Sequence, residues 1–182
     1  MGMIGNYYRA NVETVSRIKT GELSLNKLIY EDDNGNFKDN YWENEQYLCI
    51  EKDWHIIHFV LSGQVWDSTD DPLSKVIPGF ADEMGKIMSG SKLNDEDMGY
   101  GHAVYLMPME VQDVSYALKN VAKEWFCERF FTADMVANDI YIGANITKND
   151  EEFEFVYSAM PHIIEFYEKA AIENQCVIFF VN

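Results

Sequence analysis

The sequence has few basic residues for its length. Its 182 residues include 14 lysines and arginines against 31 aspartates and glutamates, which gives a formal net charge of −17. A field of this sign repels nucleic acid and the anionic inner surface of membranes, so we expect neither as a partner. It attracts cations and basic proteins, although an acidic surface also keeps a protein dissolved without any specific partner.

Long apolar runs are missing as well, since none approaches the roughly 18–20 residues that a bilayer span requires. The N-terminus has no basic region followed by an apolar stretch, so no secretory signal is expected. The three cysteines, Cys49, Cys127 and Cys176, form no CxxC pair. This usage is typical of reduced, buried thiols in a cytoplasmic protein and gives no support for a structural zinc site.

Catalytic and nucleotide-binding motifs are also absent from the sequence. It contains no GxSxG, P-loop, GxGxxG or HExxH pattern, so no reaction class is indicated and no cofactor is predicted. Cys127 and Cys176 lie in apolar runs, where a thiol is inert rather than nucleophilic. These absences favour a non-enzymatic protein, with an enzyme as the alternative.

Aromatic residues, by contrast, make up 14% of the chain and predict a packed core despite the charge. Apolar segments predict strands over residues 1–9, 101–107 and 176–181, and a brief extended segment over 140–142. The helices predicted from periodicity and capping residues cover 12–21, 23–30, 54–62, 108–125, 132–136 and 150–174, the last kinked or divided at Pro161. The remaining polar segments 31–46, 64–79 and 80–100 are predicted as loops.

These elements predict an α+β fold. We expect one compact domain over residues 1–182, with a small mixed sheet that includes both terminal strands and packs against several helices. The sequence contains no repeat, low-complexity tract or linker that would divide the chain. It gives no indication of the oligomeric state.

The helix predicted over residues 54–62 is expected to be capped by Asp53 and closed by Gly63. It concentrates histidine and tryptophan. Trp54 and His58 share its main apolar face, so both are interpreted as core residues. His55 and His58 lie three residues apart and could reach one ion. HxxH alone is a weak pattern, however, and a zinc site needs three or four ligands, so no metal is predicted.

The loop after this helix carries the remaining polar candidates. Trp66 and Asp67 could present an aromatic ring and a carboxylate to a cationic or hydrogen-bonding ligand. Alternatively, Trp66 packs down as an anchor and Asp67 satisfies turn amides. Asp71 is predicted to cap a short helix that begins at Pro72. The candidate ligand- or partner-binding residues are therefore His55, Trp66, Asp67, Asp71 and His102.

At MGMIGNYYRAN, and again at DWHIIHFVLSG followed by DPLS, the chain resembles the YfbM-like family of bacterial proteins. The resemblance continues through GHAVYLMPMEVQDV and FYEKAA into the last strand, and so covers essentially the whole chain. This is a domain-of-unknown-function family. The resemblance therefore implies a single-domain α+β fold in the bacterial cytoplasm, but no reaction and no catalytic residue. The positions that match the family pattern are Met1, Gly2, Met3, Trp54, His58, Gly63, Asp71, Pro72 and Leu73.

Two functions are compatible with these observations. The first is a non-enzymatic interaction protein that binds and neutralises a basic protein, as immunity proteins do with toxins, with charge complementarity speeding association. The second is a small-ligand or metal-dependent enzyme with a site around His55, Trp66 and Asp67. If His55 and His58 are buried and bonded to the backbone, the second hypothesis fails for them.

Overall fold

The computed structural model describes residues 2–80, 89–130, 132–141 and 150–182. Its strands are β1 (Gly5–Ala10), β2 (Tyr47–Cys49), β3 (Ser91–Asp97), β4 (His102–Leu106) and β5 (Cys176–Val181). They form one sheet in the order β2-β1-β5-β4-β3, in which each neighbouring pair is antiparallel. The two terminal strands, β1 and β5, pair along their whole length, so the ends of the chain hold the centre of the sheet together.

Helices cover both faces of the sheet. They are α1 (Val12–Lys19), α2 (Leu25–Tyr30), α3 (Trp54–Ser62), α4 (Pro108–Leu118), α5 (Lys123–Arg129), α6 (Thr132–Ala137), α7 (Asp150–Tyr157) and α8 (Ala159–Ile172). One face, with Tyr8 and Phe180, packs on α1 and α2, while the other, with Tyr7 and Phe179, packs on the later helices. Burial on both faces explains why β5 is an unbroken apolar run rather than an alternating one.

The predicted α+β fold with both terminal strands in the sheet is confirmed. The sheet is antiparallel throughout rather than mixed, and it has two strands that were not predicted. β3 has the sequence SKLNDED and lay in a predicted loop. It is an edge strand in which only Leu93 is buried, so its composition is polar and its charges discourage pairing with other chains. β2 is only three residues long, too short for its pattern to be recognised.

Two of the helix predictions need adjustment. The helix predicted over 108–125 is divided, because hydrogen bonds from Asn120 and Val121 to carbonyls three residues earlier close α4 at Leu118. The residues of the helical pattern over 150–174 form two successive helices, which agrees with the predicted alternative of a divided helix. The break lies at Ser158, and Pro161 sits in the first turn of α8, where its missing N–H is not needed. Two other predictions fall partly outside the described residues. They are the extended segment suggested over 140–142, of which Ile142 is not described, and the loop predicted over 80–100, of which residues 81–88 are not described.

α3 has the predicted bounds and packs closely on the sheet. Gly63 ends it in the left-handed conformation, with φ 70°. Asp53 was expected to cap its start, but its side chain makes no capping bond, because its backbone is already helical (φ −81°, ψ −6°). At Gly5, a Cβ atom would lie 2.8 Å from Cβ of Trp54. Only glycine therefore lets β1 approach α3 this closely.

Candidate functional site

His55 is buried, and both of its ring nitrogens bond to the backbone. Nδ1 lies 2.9 Å from the backbone nitrogen of Tyr141 and accepts its N–H. Nε2 must then carry the proton, and it donates to the carbonyl oxygen of Val65 at 2.7 Å. These two bonds fix one neutral tautomer and leave no ring nitrogen for a ligand.

Aromatic rings enclose the same imidazole. The ring centroid of His55 lies 5.1 Å from that of Trp54, in a stacked arrangement, and 4.1 Å from that of Trp66. Burial lowers the pKa of His55, although the bond to Val65 opposes this. The structure therefore gives His55 a structural role, because its imidazole joins α3 to the loop after it and to the distant Tyr141.

His58 lies in the core with Trp54, and neither side chain is exposed. Its Nε2–H donates to the carbonyl oxygen of Asp67 at 3.2 Å. Burial, with a smaller contribution from His55, lowers the pKa of His58 to about 4. Among the residues that the structure describes, no three or more His, Cys, Asp or Glu side chains are grouped so that they could hold a metal ion.

The loop after α3 follows the anchoring alternative more closely than the ligand-binding one. Trp66 packs on His55 and keeps 36% of its surface exposed. Asp67 accepts the His58 bond through its backbone, while its side chain is exposed. Asp71 caps a 3₁₀ turn over Pro72–Lys75, with its Oδ1 accepting the N–H of Leu73 at 2.9 Å. Capping is what the sequence predicted for Asp71.

His102 lies away from this loop in the fold, at the first residue of β4. Its Nδ1 donates to the carbonyl oxygen of Glu96 at 3.1 Å, across the β3–β4 pair. The bond joins two strands at the sheet edge, whereas His55 and Trp66 belong to α3 and its loop. The five candidate residues from the sequence therefore do not form one site.

A different surface, which the sequence did not single out, exposes its aromatic rings. It consists of Tyr30, Phe37, Tyr41 and Trp42, and we call it the Tyr30–Trp42 surface. Phe37 is 63% exposed and Trp42 is 58% exposed. Tyr41 holds them together, with its ring centroid 4.8 Å from Tyr30, 6.0 Å from Phe37 and 5.3 Å from Trp42. Beneath them, Tyr41 packs edge-on against the buried Tyr47 at 5.4 Å.

The backbone that carries these rings is ordered by a tight turn at Asn34–Gly35. Oδ1 of Asp32 accepts the N–H groups of Asn34 and Asn36, at 2.9 and 2.8 Å. A β-bridge then pairs Glu31 with Phe37. Hydrogen bonds from Asn36 lower the pKa of Asp32, so this exposed carboxyl stays ionised. This turn therefore fixes the backbone of Phe37, while a separate 3₁₀ turn over Tyr41–Glu43 carries Tyr41 and Trp42.

Negative charge surrounds the Tyr30–Trp42 surface. Residues 31–46 contain six acidic side chains and one lysine. That lysine, Lys38, donates to the carbonyl oxygen of Leu28 at 3.2 Å and has no carboxylate partner among the described residues. The acidic side chains with exposed surface are Asp32, Asp33, Asp39, Glu43 and Glu45. The Asn-Gly turn and three aromatic residues in an otherwise polar segment were the sequence signals that could have identified this surface.

Comparison with known proteins identifies the family. The model of a domain of unknown function, DUF1877, matches residues 1–180. The chain belongs to this family. The resemblance to YfbM-like proteins is thereby confirmed. No curated protein matches the chain.

A solved structure has the same fold as this DUF1877 member. It is the crystal structure of a protein of unknown function, YfbM from Escherichia coli, with a TM-score of 0.63 and 18% sequence identity. The match covers 98% of this chain and 99% of that chain. At this identity the similarity shows the fold alone. Within the described segments, no helix is both long and apolar enough to cross a membrane.

Proposed function

We propose that this protein is a non-enzymatic interaction module that binds a basic protein through the Tyr30–Trp42 surface, in the manner of an immunity protein. The observation that carries the proposal is the exposure of Phe37 and Trp42, at 63% and 58%, in a segment rich in exposed acidic side chains. Aromatic residues at the centre of an interface supply most of its binding energy, and surrounding charges supply steering and orientation.

Preorganisation supports the same function. Phe37 and Trp42 are held by Tyr30 and Tyr41, so binding would cost little side-chain entropy. The net charge of −17 acts in the same direction, because it attracts a basic partner from a distance and repels acidic competitors. An extended or loop segment with lysine or arginine beside apolar residues matches both features.

Two synthetic peptides of equal positive charge test the proposal. One contains lysines separated by serines, and the other contains the same lysines separated by leucines. We expect the leucine peptide to bind more tightly in a fluorescence-anisotropy titration, because only it can cover Phe37 and Trp42. Binding should weaken strongly at about 1 M salt, where the Debye length falls to about 3 Å.

Paired variants make the test specific to this surface. The double variant Phe37→Ser/Trp42→Ser should lose the preference for the leucine peptide. The control Tyr116→Ser/Phe155→Ser removes rings that are 73% and 65% exposed elsewhere on the protein, and should keep the preference. Equal affinity of the two peptides for the unaltered protein, or loss of the preference in the control alone, would contradict the proposal.

A further inference from the structure

A separate cleft lies at the C-terminal end of α3, between that helix and the segment containing α5 and α6. It has a volume of about 260 Å³ and is lined by Phe59, Val60, Gly63, Arg129 and Asp134. A cleft of this size is slightly smaller than the roughly 300–1,000 Å³ of sites for drug-sized ligands, so it suits a small metabolite. Nothing in the proposed interaction function uses it.

Arg129 is held in a fixed position in this cleft. Its Nε–H donates to the carbonyl oxygen of Val60 at 2.8 Å, and its guanidinium carbon lies 4.6 Å from the ring centroid of Trp125. Within the described segments, neither of its terminal nitrogens forms a hydrogen bond or an ion pair. Among the described residues, Arg129 is the one arginine that forms no ion pair, whereas Arg9 and Arg17 both do. A planar guanidinium fixed in this way matches a carboxylate with two parallel hydrogen bonds.

The space in front of the guanidinium is open because Gly63 has no side chain. A Cβ atom at Gly63 would lie 3.5 Å from Nη2 of Arg129, and the left-handed backbone there also favours glycine. Phe59 is half-buried and forms an apolar wall of the same cleft. The cleft therefore combines one fixed cation, an unobstructed approach and an apolar wall.

The cleft also contains negative charge. Asp134 lines the cleft, is exposed and forms no ion pair with Arg129. The end of α3 adds partial negative charge through its terminal carbonyl groups. A simple anion would be repelled by Asp134, by the helix end and by the net charge of −17, while a simple cation would be repelled by Arg129. A ligand with both charges satisfies all of these groups.

We propose that the Arg129–Asp134 cleft binds a free α-amino acid with an apolar side chain. The ligand carboxylate pairs with the terminal nitrogens of Arg129, and its ammonium group faces Asp134 and the end of α3. Its side chain packs on Phe59. The site is independent of the Tyr30–Trp42 surface, so either proposal can fail without the other.

Three probes of one shape separate the contributions of the two charges. They are L-leucine, 4-methylpentanoate, which lacks the ammonium group, and 3-methylbutylamine, which lacks the carboxylate. In ¹H–¹⁵N correlation spectra we expect L-leucine to shift the Gly63 amide and the Arg129 Nε–H signals, with a Kd of about 1 mM or below. 4-Methylpentanoate should bind about fivefold more weakly, which is the upper end of the effect of losing one exposed ion pair. 3-Methylbutylamine also lacks the paired hydrogen bonds to Arg129 and should bind about tenfold more weakly or worse.

Variants at the two charges complete the test. Asp134→Asn alters an exposed side chain and should weaken L-leucine about fivefold, without weakening 4-methylpentanoate. Arg129→Lys keeps the charge but loses the planar fork, and should weaken L-leucine about tenfold or more. Asp113→Asn, an equally exposed change on α4, should leave binding unchanged. The proposal is overturned if L-leucine shifts neither signal, or if either analogue binds as tightly as L-leucine.

Discussion

Two regions of this protein combine aromatic rings with polar groups, and they use them in opposite ways. Around α3, the rings of Trp54 and Trp66 enclose His55, whose nitrogens are both bonded to the backbone. At the Tyr30–Trp42 surface, similar rings are exposed and the carboxylates around them face solvent. Residue type therefore does not distinguish the buried cluster around His55 from the exposed Tyr30–Trp42 surface that we propose for binding, whereas exposure and hydrogen bonding do.

Burial explains the difference. A histidine withdrawn from water needs a partner for its polar atoms, since an unpaired buried polar group costs about 1–3 kcal/mol. Val65 and Tyr141 supply those partners to His55, which leaves it no capacity for a ligand. Exposed rings such as Trp42 carry no such requirement, and their apolar surface remains available to a partner.

The largest expected effect comes from removing the tryptophan at the centre of the buried region. Trp54 has no exposed surface, and its Nε1–H donates to the carbonyl oxygen of Met3. We expect Trp54→Ala to lower the free energy of unfolding by about 3–5 kcal/mol in urea denaturation. Trp42→Ala, the matched change on the surface, should alter it by less than about 0.5 kcal/mol. A similar loss for both variants would break the comparison between the two regions.

Replacement of His55 should have the second largest effect on stability. The variant His55→Phe keeps an aromatic ring between the tryptophans but leaves the Tyr141 N–H and the Val65 carbonyl without their partner. We expect a loss of about 2–4 kcal/mol in the free energy of unfolding, from two partly buried backbone groups that are no longer paired. Hydrogen exchange at the Tyr141 amide should accelerate more than the global loss explains. Unchanged exchange at this amide would show that the imidazole bond is not needed to hold the segment.

The pH dependence of stability should reflect the protonation of His58. Burial lowers its pKa from 6.5 to about 4, so the folded protein favours the neutral ring. The neutral ring of His58 contributes fully to the free energy of unfolding above pH 6.5. As the pH falls toward 4, about 3 kcal/mol of this stability is lost. Urea denaturation at pH 7 and pH 4.5 should therefore show a smaller acid loss for His58→Leu than for the unaltered protein. An identical acid loss in both proteins would contradict this assignment.

Two aspartates give the smallest effects, with opposite signs. Burial, and then the charge of Glu51, raise the pKa of Asp53 to about 6, so its stabilising contribution is complete below pH 3.8 and is lost as pH rises through 6. Asp53→Asn should therefore raise Tm by about 2–4 °C at pH 8, and by less at pH 4.

The pKa of Asp32 is lowered by hydrogen bonds from Asn36, so Asp32→Asn should lower Tm slightly at pH 8. The same sign for both variants would contradict the comparison.

Local sequence patterns predicted much of the fold. The apolar run of β5 and the Trp54–Ser62 helix, ended by Gly63, depend on neighbouring residues and were predicted with nearly correct bounds. β3 was missed because an edge strand needs little apolar surface, so its composition is that of a loop. Periodicity could not show that α4 ends at Leu118, since Val121 continues the same apolar pattern.

The candidate site was less predictable because its contacts are distant in sequence. The partner that saturates His55 is Tyr141, 86 residues away, and no local pattern indicates that bond. The acidic composition of residues 31–46 was evident, but the segment has no periodicity that indicates the packing of Tyr41 on the buried Tyr47, which fixes the exposed rings. The residue types of both regions were visible in the sequence. It did not show that the rings around His55 are buried and those of the Tyr30–Trp42 surface exposed.

The most direct test is a ¹H–¹⁵N correlation titration of the unaltered protein with the leucine-containing lysine peptide. We expect shifts at the amides of residues 30–43 and at the Trp42 indole N–H, with no shift at the Trp54 indole or at the amides of residues 54–62. Shifts confined to α3 and the Trp66 loop, with the Trp42 indole unmoved, would contradict the assignment of binding to the Tyr30–Trp42 surface.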